Sequence, residues 1–215
     1  MRPVFSSINL AASDADGISL SQSPTGAGNL TITGALASGG VATLDHQRQV
    51  LLTFAASEAA RTFTLYGTDE NEYVISASIA GAAATATSIL HYKTVTRVAI
   101  NGASAGAITV GTNGVGSTMP IPIDQHLSPT DVALYVEILT GVTVNCTVQY
   151  TPDDIWTAGN YKTSTGIIWT NHSTLQALTA SADSSVAYLP AAVRLKINSG
   201  TGAAKLIVRQ AGLRG

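Results

Sequence analysis

The feature that most limits this chain is a hydrophobic period of two. Residues 61–67 alternate polar and apolar side chains, with Phe63 and Leu65 on one face. Residues 73–79 repeat the pattern and put Tyr73, Ile75, Ala77 and Ile79 together. Successive side chains of an extended strand point to opposite faces, so such runs predict half-buried strands rather than helices. Thr68, Asp69, Glu70 and Asn71 between them form a polar tip of hairpin length. Residues 49–54, 93–100 and 107–110 continue the series. In residues 93–100, Val95 takes one phase while Val98 and Ile100 take the other, which predicts a bulge or twist near Arg97. The one helix-like piece, residues 57–60, is too short to sustain a helix.

Composition explains what lines the outward positions of those strands. Only 11% of the 215 residues are charged, against about 25% in an ordinary soluble domain. The hydrophobic share, 45%, is ordinary. Thr, Ser, Ala and Gly stand where Lys and Glu are usual. A disordered chain needs more charge and less apolar content, and a coiled coil needs charged flanking positions. The net charge of -2 excludes the basic excess of a nucleic-acid clamp. With Cys146 the one cysteine, neither an intramolecular disulfide nor a cysteine metal cluster can form. The first residues lack a long apolar stretch, so no signal peptide is expected. The uncharged segments 73–90 and 98–123 are interrupted by Gly, Ser, Thr, Asn or Pro and do not read as membrane spans.

Punctuation divides the chain. Residues 1–42 are glycine-rich with very little charge and are expected to form an extended N-terminal arm, with pairing as an edge strand in its own or a neighbouring sheet as the alternative, and Asn29, Leu30 and Ile32 lie on its one strand-like stretch. Residues 43–115 are expected to be a first small antiparallel β-sandwich and 116–130 a linker stiffened by Pro120 and Pro122. Residues 131–215 are expected to be a second sandwich, with a long loop at 151–185 that contains Trp156 and Trp169. Gly111 to Ser117 reads as a turn running into the linker. Thr140-Gly141 and the segment 199–202 read as hairpin turns. The fold class expected is therefore all-β: two small antiparallel sandwiches in tandem behind an arm.

Motifs with chemistry are few. Gly102-Ala103-Ser104-Ala105-Gly106 matches the G-x-S-x-G elbow of α/β-hydrolases. That elbow needs a strand before the serine and a helix after it, whereas here β-like runs lie on both sides. The histidines, His46, His91, His126 and His172, have no local metal-ligand spacing. Asp14-Ala15-Asp16-Gly17 begins like a calcium loop but lacks the later bidentate Glu. The glycines at 111, 114 and 116 lack the helix of a dinucleotide site and the lysine of a phosphate loop. The Asn-x-Ser/Thr triplets at Asn29, Asn145 and Asn171 carry no information without a secretory signal. No catalytic residue, cofactor site or metal site is expected.

Several stretches resemble a widespread family of tailed-bacteriophage virion proteins. The first runs from Ser21 to Gly34, and the second from Phe63 to Asp69, followed by Ile79-Ala80-Gly81. A third covers His91 to Val98 and continues at Thr109 to Gly114; a fourth is Val148 to Asp154. The last includes Ala177 to Asp183, Ala192 to Leu195 and Val208 to Gly212. The resemblance implies a non-enzymatic particle component and supplies no catalytic residues. Within that class a capsid decoration or cement protein is expected, located in the virion and assembled in the host cytoplasm. Its partners would be the major capsid protein or other virion proteins, and it would be a homo-oligomer, a trimer favoured, with no nucleic acid or membrane partner. The alternatives are a tail or head-to-tail collar component and, resting on Trp156 and Trp169, a carbohydrate-binding module of a phage fibre. Candidate interaction residues are Asn29, Leu30 and Ile32 of the arm and the two tryptophans.

Overall fold

A computed structural model describes residues 3–126, 131–155, 167–186 and 188–210. Among these residues every regular element is a strand, and every paired ladder is antiparallel. The order begins β1 (Val4–Leu10), β2 (Ser19–Gln22), β3 (Gly28–Leu30), β4 (Ala37–Ser38) and β5 (Val41–Phe54). It continues with β6 (Thr62–Thr68), β7 (Val74–Ala80), β8 (Thr85–Ile100), β9 (Ile108–Ser117) and β10 (Ile121–Pro122). The last are β11 (Val132–Ile138), β12 (Asn145–Thr151), β13 (Thr170–Asn171), β14 (Ala182–Val186), β15 (Ala192–Ser199) and β16 (Gly202–Gln210). The described residues fall into two compact units: 12–113 in one, 3–11 with 114 onward in the other.

In the unit of residues 12–113, β6 and β7 form the expected hairpin, Phe63 opposite Ile79 and Leu65 opposite Ala77. Its tip is tied by Asp69, whose carboxylate accepts from the N–H groups of Asn71 at 2.8 Å and Tyr73 at 3.0 Å. The expected irregularity near Arg97 is a bulge. Tyr66 faces Arg97 but Gly67 faces Val95, so Thr96 is left over on β8. β8 is longer than its alternation suggested and serves three neighbours, β5 along its first part and β6 and β3 along its second. Phe63, Leu65, Tyr92, Val95, Val98, Leu52 and Ile108 share the buried core, and the rings of Phe54 and Phe63 stack at 5.2 Å.

In the other unit, one sheet has the order β1-β16-β11-β14. β12 pairs with β13 and β15, and β15 with β10 and the end of β9. Inward side chains from both sets meet in one core: Ile8 and Leu10, Leu134 and Val136, Cys146 and Val148, Leu195 and Ile197, Leu206 and Val208. This is a sandwich, each strand giving alternate residues to the core.

Three expectations need correction. The first 42 residues do not stand apart as an arm. β1 pairs along its length with β16, and Ile8 and Leu10 enter that core. Ile18, Leu30 and Ile32 are buried in the core of the 12–113 unit. The apolar residues of this segment are widely spaced among Gly and Ser, so their inward set is too sparse to register as alternation. Second, Gly111 to Ser117 is strand, the second half of β9. Gly111 is there because a methyl group would overlap the backbone of Asp14 and Ala15. A glycine inside a strand can mark close backbone approach as well as a turn. Third, Thr140-Gly141 and residues 199–202 are not hairpins. β11 and β16 belong to one sheet, β12 and β15 to the opposite layer of the sandwich. Each turn carries the chain across the core rather than back along its own sheet. Gly141, Gly200 and Gly202 have φ of 81°, 97° and 112°, values that favour glycine in either kind of turn.

Candidate assembly interface

The outward face of the β1-β16-β11-β14 sheet carries a row of exposed apolar side chains. Register fixes what it carries. Phe5 lies opposite Ile207, Ile207 opposite Tyr135, and Tyr135 opposite Asp183, so one row of outward side chains crosses all four strands. Phe5 is 66% exposed and Tyr135 41%. On one side of the row, Lys205 pairs with Glu137 at 2.6 Å and reaches over the Phe5 ring at 5.9 Å. On the other lie Arg209 and Ala133, opposite each other. A depression of about 360 Å³ opens here, lined by Pro3, Ala133, Tyr135, Ile207, Arg209 and neighbouring atoms of β14. Aromatic and aliphatic side chains in one outward row, rimmed by charges, have the make-up of a surface built to be covered by protein.

The residues singled out from the sequence are dispersed. Leu30 and Ile32 face their own unit's core, and Asn29 is exposed on β3 opposite Ala99. Trp156 lies outside the described residues. Trp169 is half-buried, and the guanidinium of Arg194 sits 4.1 Å from its ring centre. Arg194 in turn donates to Gln149 Oε1 from Nε at 2.9 Å and from Nη2 at 2.8 Å. One face of this indole is therefore engaged by a cation. Lys196 projects beside Arg194 on β15; burial first, and then the Arg194 charge, hold its ammonium below the ordinary lysine range. The Phe5–Ile207–Tyr135 row had been missed. Its signal was the apolar residue at an outward phase in each of three strands, which only pairing brings together.

The Ser104 segment is a loop held by side chains. Glu58 is 1% exposed, and its Oε1 accepts from the N–H groups of Ala105 at 2.7 Å and Gly106 at 3.1 Å. Arg61 Nε donates to the carbonyl of Ala103 at 2.6 Å. The hydroxyl of Ser104 donates to the carbonyl of Pro24 at 3.3 Å, and its backbone N–H donates to the same oxygen at 2.9 Å. The Ser104 hydroxyl proton is thus directed at a backbone carbonyl rather than at a side-chain base. His172 is 5% exposed; its Nδ1 accepts from the N–H groups of Thr174 and Leu175, both at 3.2 Å, which leaves Nε2 to donate to Ser185 O at 3.2 Å. That ring organises a turn. Near the hairpin tip, His46 Nδ1 lies 3.4 Å from Glu70, whose other carboxylate oxygen accepts from the Gln47 N–H at 3.0 Å. Burial raises the Glu70 pKa, but these hydrogen bonds and the charges of His46 and Lys93 outweigh it and bring it below the ordinary 4.5. Among the described residues no three His, Cys, Asp or Glu side chains are grouped to hold a metal, and no helix is long and apolar enough to cross a membrane.

The fold and the face define an all-β protein with an exposed apolar sheet surface. Neither known family profiles nor curated proteins include a match to this chain. Among solved structures, the major capsid protein P2 from bacteriophage PM2 aligns over 99% of this chain and 98% of its own, at 10% identity and a TM-score of 0.22. A score that low carries no argument about fold or function.

Proposed function

We propose that this chain is a non-enzymatic structural component of a bacteriophage particle that works by covering and being covered by other protein chains. A capsid decoration or cement protein is the first reading within that class, and a tail or collar component the alternative. The observation that carries the proposal is the outward row Phe5–Ile207–Tyr135 on a sheet face. Buried against a partner, each such side chain contributes about 1.5–3 kcal/mol. Left in water, the row is a liability for a monomer. The low charge agrees, since copies packed closely repel less. The Ser104 hydrogen bonding adds nothing in favour of a hydrolase.

The test is quantitative mass spectrometry of purified particles. On the order of hundreds of copies per particle supports a decoration role, and about six or twelve supports a tail or collar position. Particles that contain none of this chain refute the virion reading.

A further inference from the structure

We propose that the outward face of the β1-β16-β11-β14 sheet binds the same face of a second copy of this chain, about a twofold axis passing between Tyr135 and Ile207. The argument is self-complementarity. Asp183 lies opposite Tyr135 on β14, at one flank of the row. Arg209 lies two residues beyond Ile207 on β16, beside the row rather than in it. Both side chains are exposed, and neither has an ion-pair partner among the described residues. The other charged couple of the face, Lys205 with Glu137, is already paired within the chain.

Strands roughly 4.8 Å apart with same-face residues roughly 6.8 Å apart place Arg209 and Asp183 roughly 12 Å from each other. That is too far for them to pair within one copy. The line midway between them runs between Tyr135 and Ile207. A twofold rotation about that line sets each Arg209 against the partner's Asp183 and lays each Tyr135 on the partner's Ile207. The same operation thus pairs two opposite charges that have no ion-pair partner among the described residues and covers two apolar side chains. It is the isologous arrangement, in which one patch recognises itself, and it replaces the threefold expected from the sequence. The pairing is independent of the virion reading: the face would dimerise in any setting.

The experiment is sedimentation equilibrium of the full-length chain, with far-UV circular dichroism and thermal melting as fold controls. Asp183 and Arg209 are exposed, so substituting them leaves the melting curve of the monomer unchanged. Wild type is expected to be a dimer. Asp183→Arg and Arg209→Asp, each alone, put like charges opposite each other twice per dimer and raise the dissociation constant by about tenfold or more. The double variant restores the opposite-sign pairing and brings the constant back to within about threefold of wild type. Tyr135→Glu abolishes dimerisation. Wild-type affinity also falls as sodium chloride is raised, a readout that needs no variant. A monomer at every concentration, a trimer indifferent to both single substitutions, a double variant no better than the singles, or a salt-indifferent dimer would each overturn the proposal.

Discussion

Replacing Glu58 by alanine isolates the device that holds the Ser104 loop. The carboxylate is buried, and its Oε1 is the acceptor for two backbone N–H groups, those of Ala105 and Gly106. Hydrogen bonds to a charged acceptor are worth about 1.5–3 kcal/mol each, and a buried donor left without a partner costs about 1–3 kcal/mol. Against that stands the cost of keeping the carboxylate out of water, with Oε2 buried and lacking a hydrogen-bond partner among the described residues. The two contributions oppose each other, so the net loss for Glu58→Ala is about 2–4 kcal/mol. For a chain of this size that lowers the midpoint of thermal unfolding by about 5–15 °C. Glu58→Gln keeps an amide oxygen where Oε1 stands and is expected to cost about 1 kcal/mol or less. Differential scanning calorimetry of the three proteins gives the comparison. A fall of less than about 2 °C for the alanine variant would refute the clamp. So would a glutamine variant as unstable as the alanine one, because charge rather than acceptor geometry would then be what matters.

Four further outcomes are expected. Ser104→Ala loses one long hydroxyl bond to Pro24 and stays within about 1 kcal/mol of wild type in the same calorimetry. Gly111→Ala forces a methyl group into the Asp14 and Ala15 backbone and costs about 3 kcal/mol or more, read from urea unfolding. Because Glu70 has a lowered pKa in the folded chain, its contribution to stability is fully present above pH 4.5 and is lost as pH falls through the lowered value. The protection factor of the Gln47 amide, its exchange rate relative to the intrinsic rate at each pH, should therefore fall in acid, and Glu70→Gln should flatten that dependence. Burial pushes the Cys146 thiol up to about 11, so a thiol reagent at pH 8 should label it only after denaturant is added. Labelling of native protein at the rate of a free thiol would refute the buried position.

Strand content was legible because the alternation survives wherever one face is buried and the other carries Thr or Ser. Phe63, Leu65, Ile75, Ala77 and Ile79 fall on the inward phase and are buried, whereas Tyr73, expected on the same face, precedes β7 and is 44% exposed. The bulge at Thr96 was legible for the same reason, since a change of phase within a strand has few other causes. Sheet membership was not legible. A glycine-containing turn reverses the chain equally well as a hairpin or as a crossing between layers, and the choice depends on which neighbours β11, β12, β15 and β16 find. The first 42 residues failed for a related reason. Ile8, Leu10, Ile18, Leu30 and Ile32 each fill a place in a core whose other members lie far along the sequence.

The candidate face was hidden by the same non-locality. Phe5, Tyr135 and Ile207 stand far apart in sequence, and each alone is an ordinary outward apolar residue that needs no explanation. Only the ladders β1-β16 and β16-β11 put them in one row. The low charge can then be given a location. Within the four strands of this face the charged side chains are Lys205 with Glu137, already paired, Asp183 at the end of the apolar row, and Arg209 beside the row on β16. A face meant for water would carry more charge along the row, which has Asp183 at its β14 end and otherwise Phe5, Ile207 and Tyr135. Asp183 at one end of the row and Arg209 beside it set the register of a partner while leaving the apolar centre to be covered.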